Sequence, residues 1–171
     1  MGNLLFSPTG RINPSEFMRG ALILIIVGFV LNALPAISFT LGSTLSLLGL
    51  VLIWCWIVLF VKRYHDGGKT GWMSIIPIVV FLVLSFIVSG IVSNVFAGDL
   101  NAEITQLTQE ALSSGDSSNF LAATLGMGSE IAKKTAIPTA IAGAVISYGI
   151  AFIFNGMIKH DPQDNTYGPA A

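Results

Sequence analysis

The chain has 171 residues, 53% of them hydrophobic and only 10% charged, whereas a soluble domain carries about 25% charged residues, so water is not its main solvent. A net charge of −1 without any basic or acidic block gives no reason to expect nucleic acid as a partner. The single cysteine, Cys55, excludes an intrachain disulfide and reads as a small buried filler in an apolar run.

Asn13-Pro14-Ser15-Glu16 has the parts of a helix start: Asn13 as cap, Pro14 at the first helical position, and Glu16 reaching back to free amides. This first helix is expected to begin before the membrane, with Phe17 at the interface. Four stretches then meet the roughly 20-residue length that a hydrocarbon core demands, at 20–40, 44–61, 72–97 and 135–158, and none contains a charged residue or histidine. Lipid offers an open sheet no partners for its backbone, and the alternation of a barrel is absent. The sequence therefore predicts an all-α membrane protein: a four-helix transmembrane bundle forming one integral membrane domain over 1–171. Leu34 stands where a leader cleavage site wants a small residue, and Glu16 sits in the stretch before the run, so the first span reads as retained.

Within the first span, Asn32 and Pro35 interrupt the apolar run, and Pro35 predicts a bend. A few uncharged residues around Leu41 to Ser43 predict an antiparallel hairpin of the first two spans. The third and fourth spans carry rows spaced every four residues, Ser85, Ser89 and Ser93 against Gly143, Ser147, Ala151 and Asn155. Small residues let membrane helices approach and hydroxyls bond across the contact, so these rows are expected to face each other or the bundle interior. The alternative is a polar path for a solute. Residues 98–134 are polar, acidic and rich in Ser, Gly and Thr, and predict a long extracytoplasmic loop carrying Asp99, Glu103, Glu110, Asp116 and Glu130. A short amphipathic helix is expected within it near 102–112, with Ile104, Leu107 and Ala111 on one face.

Basic residues set the orientation. Arg11, Arg19, Lys62, Arg63, Lys69 and Lys159 fall on one side, and Lys133 and Lys134 on the other. That split of six to two predicts both termini and the loop between the second and third spans in the cytoplasm.

That loop, from Lys62 to Trp72, is the densest polar cluster. Gly68-Lys69-Thr70 lacks the earlier glycine of a phosphate loop, because Arg63 occupies its place. The pairs His65-Asp66 and His160-Asp161 lie on one side and suggest a nitrogen and oxygen metal set, but adjacent residues seldom aim at one ion. No metal ligand and no cofactor is assigned. Catalysis by His65 with Asp66 lacks a neighbouring nucleophile, so no catalytic residue is assigned either. The plainest reading is a headgroup-level turn, with Arg63 and Lys69 on phosphates and Tyr64 and Trp72 in the aromatic belt.

Three islands give the chain a family resemblance. They are Gly10-Arg11-Ile12-Asn13 with Glu16-Phe17; Arg63, His65-Asp66 and Gly68-Lys69-Thr70-Gly71-Trp72; and Asn165 with Tyr167-Gly168-Pro169. In these the sequence resembles a bacterial inner-membrane family catalogued as domain of unknown function 805. It departs from the family pattern at Pro14, usually basic, at Met18, usually aromatic, and at Tyr64, usually aliphatic. The resemblance implies a compact helical protein of the cell envelope without an established activity. On the predicted topology all three islands share the cytoplasmic face, which predicts one cluster of Arg11, Arg63, His65, Asp66, Lys69, Trp72, Asn165 and Tyr167. Arg63 is expected to pair with Asp66, leaving Arg11 and Lys69 free for an anionic headgroup or a partner's carboxylate. The leading functional expectation is thus a binding, scaffold or regulatory subunit in the bilayer, with self-association open to it. A small-solute transporter or channel component and a membrane enzyme using His65 and Asp66 stand behind it.

Overall fold

The computed structural model describes residues 2–114 and 120–171. The chain runs through α1 (Gly2–Leu5), α2 (Pro14–Ala33), α3 (Phe39–Leu45), α4 (Leu48–Asp66), α5 (Ile75–Ser114) and α6 (Phe120–Met157), with 3-10 turns at Leu34–Ala36 and Gly71–Ser74. Among the described residues there is no strand. Four helical stretches are long and apolar enough to cross a membrane, Pro14–Ala36, Leu48–Asp66, Gly71–Ser114 and Ala123–Met157. That is the architecture of an integral membrane protein.

The start of α2 forms as the residue types dictate. Asn13 Oδ1 accepts from the Glu16 amide at 2.9 Å, and the Asn13 amide donates back to Glu16 Oε2 at 3.3 Å, a complete capping box. Phe17, expected at the interface, turns into the bundle. It is fully buried, with its ring centroid 5.1 Å from that of Phe60 on α4. Tyr64, expected in the aromatic belt, likewise packs into the core.

Pro35 ends the helix rather than bending it. The lost amide donor coincides with the change from α2 to the 3-10 turn. The expected tight loop around Leu41 to Ser43 is replaced by α3, whose first turn is capped by Ser38 Oγ accepting from the Leu41 amide at 3.3 Å.

α2 packs against both α4 and α6, while α5 packs along α6 and is tied to α4 largely through the Gly71–Ser74 turn. The core gathers Phe17, Ala21, Leu24, Cys55, Leu59, Phe60, Tyr64, Ile150, Ala151 and Ile158 near the α4–α5 turn. Large apolar side chains on the remaining faces, such as Ile26, Phe86, Val95 and Phe152, point outward, as a lipid-facing surface requires.

The expected long loop at 98–134 is helical wherever it is described. α5 continues to Ser114 and α6 begins at Phe120, while 115–119, with Asp116, lie outside the described residues. The stretch stays helical because its Ser and Thr residues interrupt runs of Ala, Glu, Gln and Leu, all strong helix formers. Ile104, Leu107 and Ala111 form its half-buried face, as the amphipathic pattern anticipates. At 38 residues, α6 is about 57 Å long at 1.5 Å per residue, nearly twice a hydrocarbon core of about 30 Å. A helical hairpin therefore stands beyond the membrane-spanning part. Its base is marked by Ala97, whose φ of −144° breaks α5. There the Asn101 side-chain amide donates to Ser93 Oγ at 3.0 Å and to the Ser93 carbonyl at 3.2 Å, bridging the break.

Candidate functional site

The end of the bundle that holds the α4–α5 turn is closed by a polar network centred on Asp66. Asp66 sits at the last turn of α4, and Arg63 lies one turn before it on the same face. Arg63 Nη1 donates to Asp66 Oδ2 at 2.8 Å, and Arg11, from the segment before α2, donates from Nη2 to Asp66 Oδ1 at 3.0 Å. His160, just past α6, completes the set: its Nδ1 lies 2.9 and 3.0 Å from the two carboxylate oxygens and donates to them. The side chains of both arginines and of Asp66 are almost wholly withdrawn from solvent, at 1%, 1% and 0% exposure.

The excess positive charge is met by oxygens. Arg63 Nε donates to Asn155 Oδ1 at 2.6 Å, and its Nη2 donates to the carbonyls of Asn155 (3.0 Å) and Ile158. Arg11 donates to the Gln163 carbonyl at 2.6 Å and to the Asp161 carbonyl. The Asn155 side-chain amide in turn donates to the Pro14 carbonyl at 3.2 Å. Segments far apart in sequence are thereby fastened at one point: the approach to α2, the end of α4, the end of α6 and the tail. Gly67 permits it, because a Cβ there would meet Ile158 Cγ2 at 2.7 Å and the Lys159 carbonyl at 3.1 Å.

Around this node the tail folds back. The Asn165 side-chain amide donates to the His65 carbonyl at 3.1 Å, and a tight turn pairs the backbones of Asn165 and Gly168. Tyr167 lies flat on His65, centroids 4.0 Å apart and planes 4° from parallel. His65 Nδ1 is 3.1 Å from the Gly10 carbonyl, an acceptor, so this nitrogen carries the hydrogen and Nε2 of a neutral ring is left as acceptor. Asp161, on the tail, is held below the ordinary aspartate range, first by the Gln163 amide, then by the Asn165 side chain and the nearby charges of Arg11 and His160.

The single expected cluster thus exists as a place. Arg11, Arg63, His65, Asp66, Asn165 and Tyr167 are brought together, whereas Lys69 and Trp72 stand at its margin, both exposed. Arg11 departs from expectation: it is no free cation but Asp66's second partner. Asn155, read as part of a helix-packing row, is the main acceptor for Arg63. His65 and His160, the two histidines a shared metal would have to bring together, take separate partners. His160, Gln163 and the Ile158 carbonyl were missed as members. Backbone carbonyls leave no mark in a sequence, but the second His-Asp pair at the end of the last apolar run was a signal for His160.

The packing rows separate along their length. Ala151 is fully buried, and Ser93 is engaged by Asn101. Ser85, Ser89 and Gly143 line a crevice instead of a close contact. Next to the network, a groove of about 530 Å³ lies between α4 and the start of α5. Trp54, Ile57, Val61, Ile75 and Ile78 form its apolar wall, and His65, Thr70, Trp72 and Tyr167 its rim. Gly71 brings the rim together, since a Cβ there would meet Val61 at 2.9 Å and His65 Nε2 at 3.1 Å.

Fold and site together define a class: a small helical protein of membrane-spanning character, with an internally paired charge network sealing one end of the bundle. Within that class, the chain belongs to the family described as protein of unknown function (DUF805), which it matches over residues 5–169. No match was found among curated proteins or among solved structures.

Proposed function

We propose that the protein is a membrane-embedded binding or scaffold protein of a bacterial inner membrane, with both termini in the cytoplasm, that takes an anionic lipid headgroup at the groove beside His65. The observation that carries this reading is the division of labour among the cations. Arg11 and Arg63 are consumed by Asp66 and by carbonyls, whereas the Lys69 side chain makes no hydrogen bond or ion pair among the described residues and is exposed next to the groove rim. A free ammonium at headgroup level attracts anionic lipid. Trp72, 79% exposed, supplies an interfacial anchor. Below it, the apolar wall from Trp54 to Ile78 offers an acyl chain its own solvent, His65 Nε2 offers an acceptor to a headgroup hydroxyl, and Thr70 offers a donor to its phosphate.

The test is photo-crosslinking in native membranes from a probe replacing Trp72, with mass spectrometry of the captured molecules, in the otherwise unchanged chain and with Lys69→Gln. Anionic lipid captured by the first and lost in the second supports the reading. Equal capture of anionic and zwitterionic lipids in both chains defeats it, and a protein captured in place of lipid moves the site to a partner interface.

A further inference from the structure

The groove beside His65 holds two polar atoms that the protein itself leaves unused. Ser74, in the turn that opens α5, is 3% exposed, yet its hydroxyl has no hydrogen-bond partner among the described residues. A helical hydroxyl can donate to the carbonyl three or four residues back, as those of Thr44, Thr108 and Thr135 do at 2.7 to 2.8 Å. One buried without such a bond has lost its water and gained nothing for it until a guest arrives. Among the described residues, the fully shielded side-chain atoms without a partner are Arg11 Nε and Ser85 Oγ. Ser74 Oγ is not one of them, so the little surface this residue keeps reaches its hydroxyl, and Ser74 lines the groove. His65 Nε2 is alike in being unpartnered without being shielded, and His65 lines the same space.

The acceptor is fixed in place before any guest enters. Nδ1 at 3.1 Å from the Gly10 carbonyl and the Tyr167 ring stacked at 4.0 Å hold the imidazole plane. Gly71 leaves Nε2 uncovered, because a Cβ on that residue would stand 3.1 Å from it. With the hydrogen on Nδ1, Nε2 can only accept, so the guest must bring a donor. None of the residues lining the groove is Asp, Glu, Lys or Arg, so an ammonium donor would find no counter-charge there. The donor is therefore a neutral hydroxyl. A phosphate monoester is a poor source of one: with a second pKa of about 6 it has given up most of its hydrogen at neutral pH and carries nearly two charges against the single ammonium of Lys69.

We propose that the groove selects a phosphodiester lipid whose headgroup ends in hydroxyls, of the phosphatidylglycerol kind. A headgroup hydroxyl donates to His65 Nε2, the Ser74 hydroxyl donates to a headgroup oxygen, and Lys69 faces the phosphate charge. This rests on the headgroup reading of the groove and adds to it the identity of the headgroup. The groove, at about 530 Å³, has the size of a small-molecule site. It holds the headgroup and the start of one acyl chain against Trp54, Ile57 and Ile78, and the rest of the lipid stays in the bilayer.

The experiment is native mass spectrometry of the full chain released from detergent micelles doped with equimolar phosphatidylglycerol, phosphatidic acid, phosphatidylserine and phosphatidylcholine of identical acyl chains. Phosphatidylglycerol should be retained about fivefold over each of the other two anionic lipids, the worth of one net hydrogen bond. Ser74→Ala removes only the hydroxyl; His65→Asn keeps a donor for the Gly10 carbonyl and lacks Nε2. Each should lower phosphatidylglycerol toward the level of the other anionic lipids, read in whichever variant keeps the unfolding temperature of the unchanged chain. Equal retention of the three anionic lipids above phosphatidylcholine, or a preference for another of the three, overturns the inference and leaves the headgroup reading standing. Equal retention of all four lipids overturns both. A preference for phosphatidylglycerol that survives both substitutions overturns the inference by placing hydroxyl recognition elsewhere. Soluble glycerophosphoglycerol displacing the lipid at equal concentration overturns its lipid form, since the apolar wall would then contribute nothing.

Discussion

At the scale of residues, Asp66 decides the stability of the sealed end. Removing one member of a buried pair leaves the others as uncompensated charges and costs about 3–5 kcal/mol. Asp66→Asn is expected to lose that much, because it strands Arg11 and Arg63 together, each with 1% side-chain exposure. Denaturation in mild detergent, followed by helical signal, checks it. A loss below about 1 kcal/mol, the worth of an exposed pair, would mean that water reaches the node. Asp161 gives a pH dependence with a fixed sign. Its carboxyl titrates below the ordinary 3.8, so its contribution to holding the tail is full above that value and is lost as pH falls from there through the depressed one. Hydrogen exchange of residues 158–171 should accelerate in that acid window, and the Asp161→Asn variant should lack the step. Membership of the node was partly legible in the sequence. Arg63 and Asp66 three apart on one helix face announced their pairing, but the capture of Arg11 depended on the tail crossing α4, which no local pattern encodes.

At the scale of elements, hydropathy located the four spans because lipid imposes a length and forbids charge, and caps located the start of α2 because Asn13 and Glu16 satisfy its free amides locally. What sequence pattern misjudged was the state of polar stretches. Residues 98–134 read as loop because Ser, Gly and Thr disfavour helix by themselves, yet the apolar row of Ile104, Leu107 and Ala111 lets helix persist into a hairpin. The bend that the hairpin needs is at Ala97, and Asn101 holds it by bonding Ser93 across the break. Asn101→Leu is expected to cost about 1 kcal/mol and to widen the spread of distances between spin labels at Ile91 and Glu110, measured in a Cys55→Ala background. Lys134→Ala should change stability by less than about 1 kcal/mol, because its 3.3 Å pair with Asp99 is solvent-exposed at 45% and 72%. A larger loss would show that this pair, not Asn101, governs the base of the hairpin.

At the scale of the whole molecule, the two ends differ in kind, and the difference bears on how the chain sits in its membrane. One end carries the sealed node with Lys69, Lys159 and Arg19 around it; the other carries a helical hairpin with Asp99, Glu103, Glu110 and Glu130. Translocating a bundle leaves basic residues behind, so the sealed end is expected in the cytoplasm and the hairpin outside. Arg11 and Arg63 are engaged by Asp66 and carbonyls once folded, so their effect on orientation is expected during insertion, before the tail that supplies those carbonyls has been made. Lys69 and Arg19 remain exposed afterwards. Thiols placed at Lys69 and at Glu110 should then respond oppositely to an impermeant label. In spheroplasts Glu110→Cys is expected to react at once, and Lys69→Cys only after the membrane is opened. The reverse pattern would put the His65 groove in the outer leaflet and would require the proposed headgroup partner to be sought there.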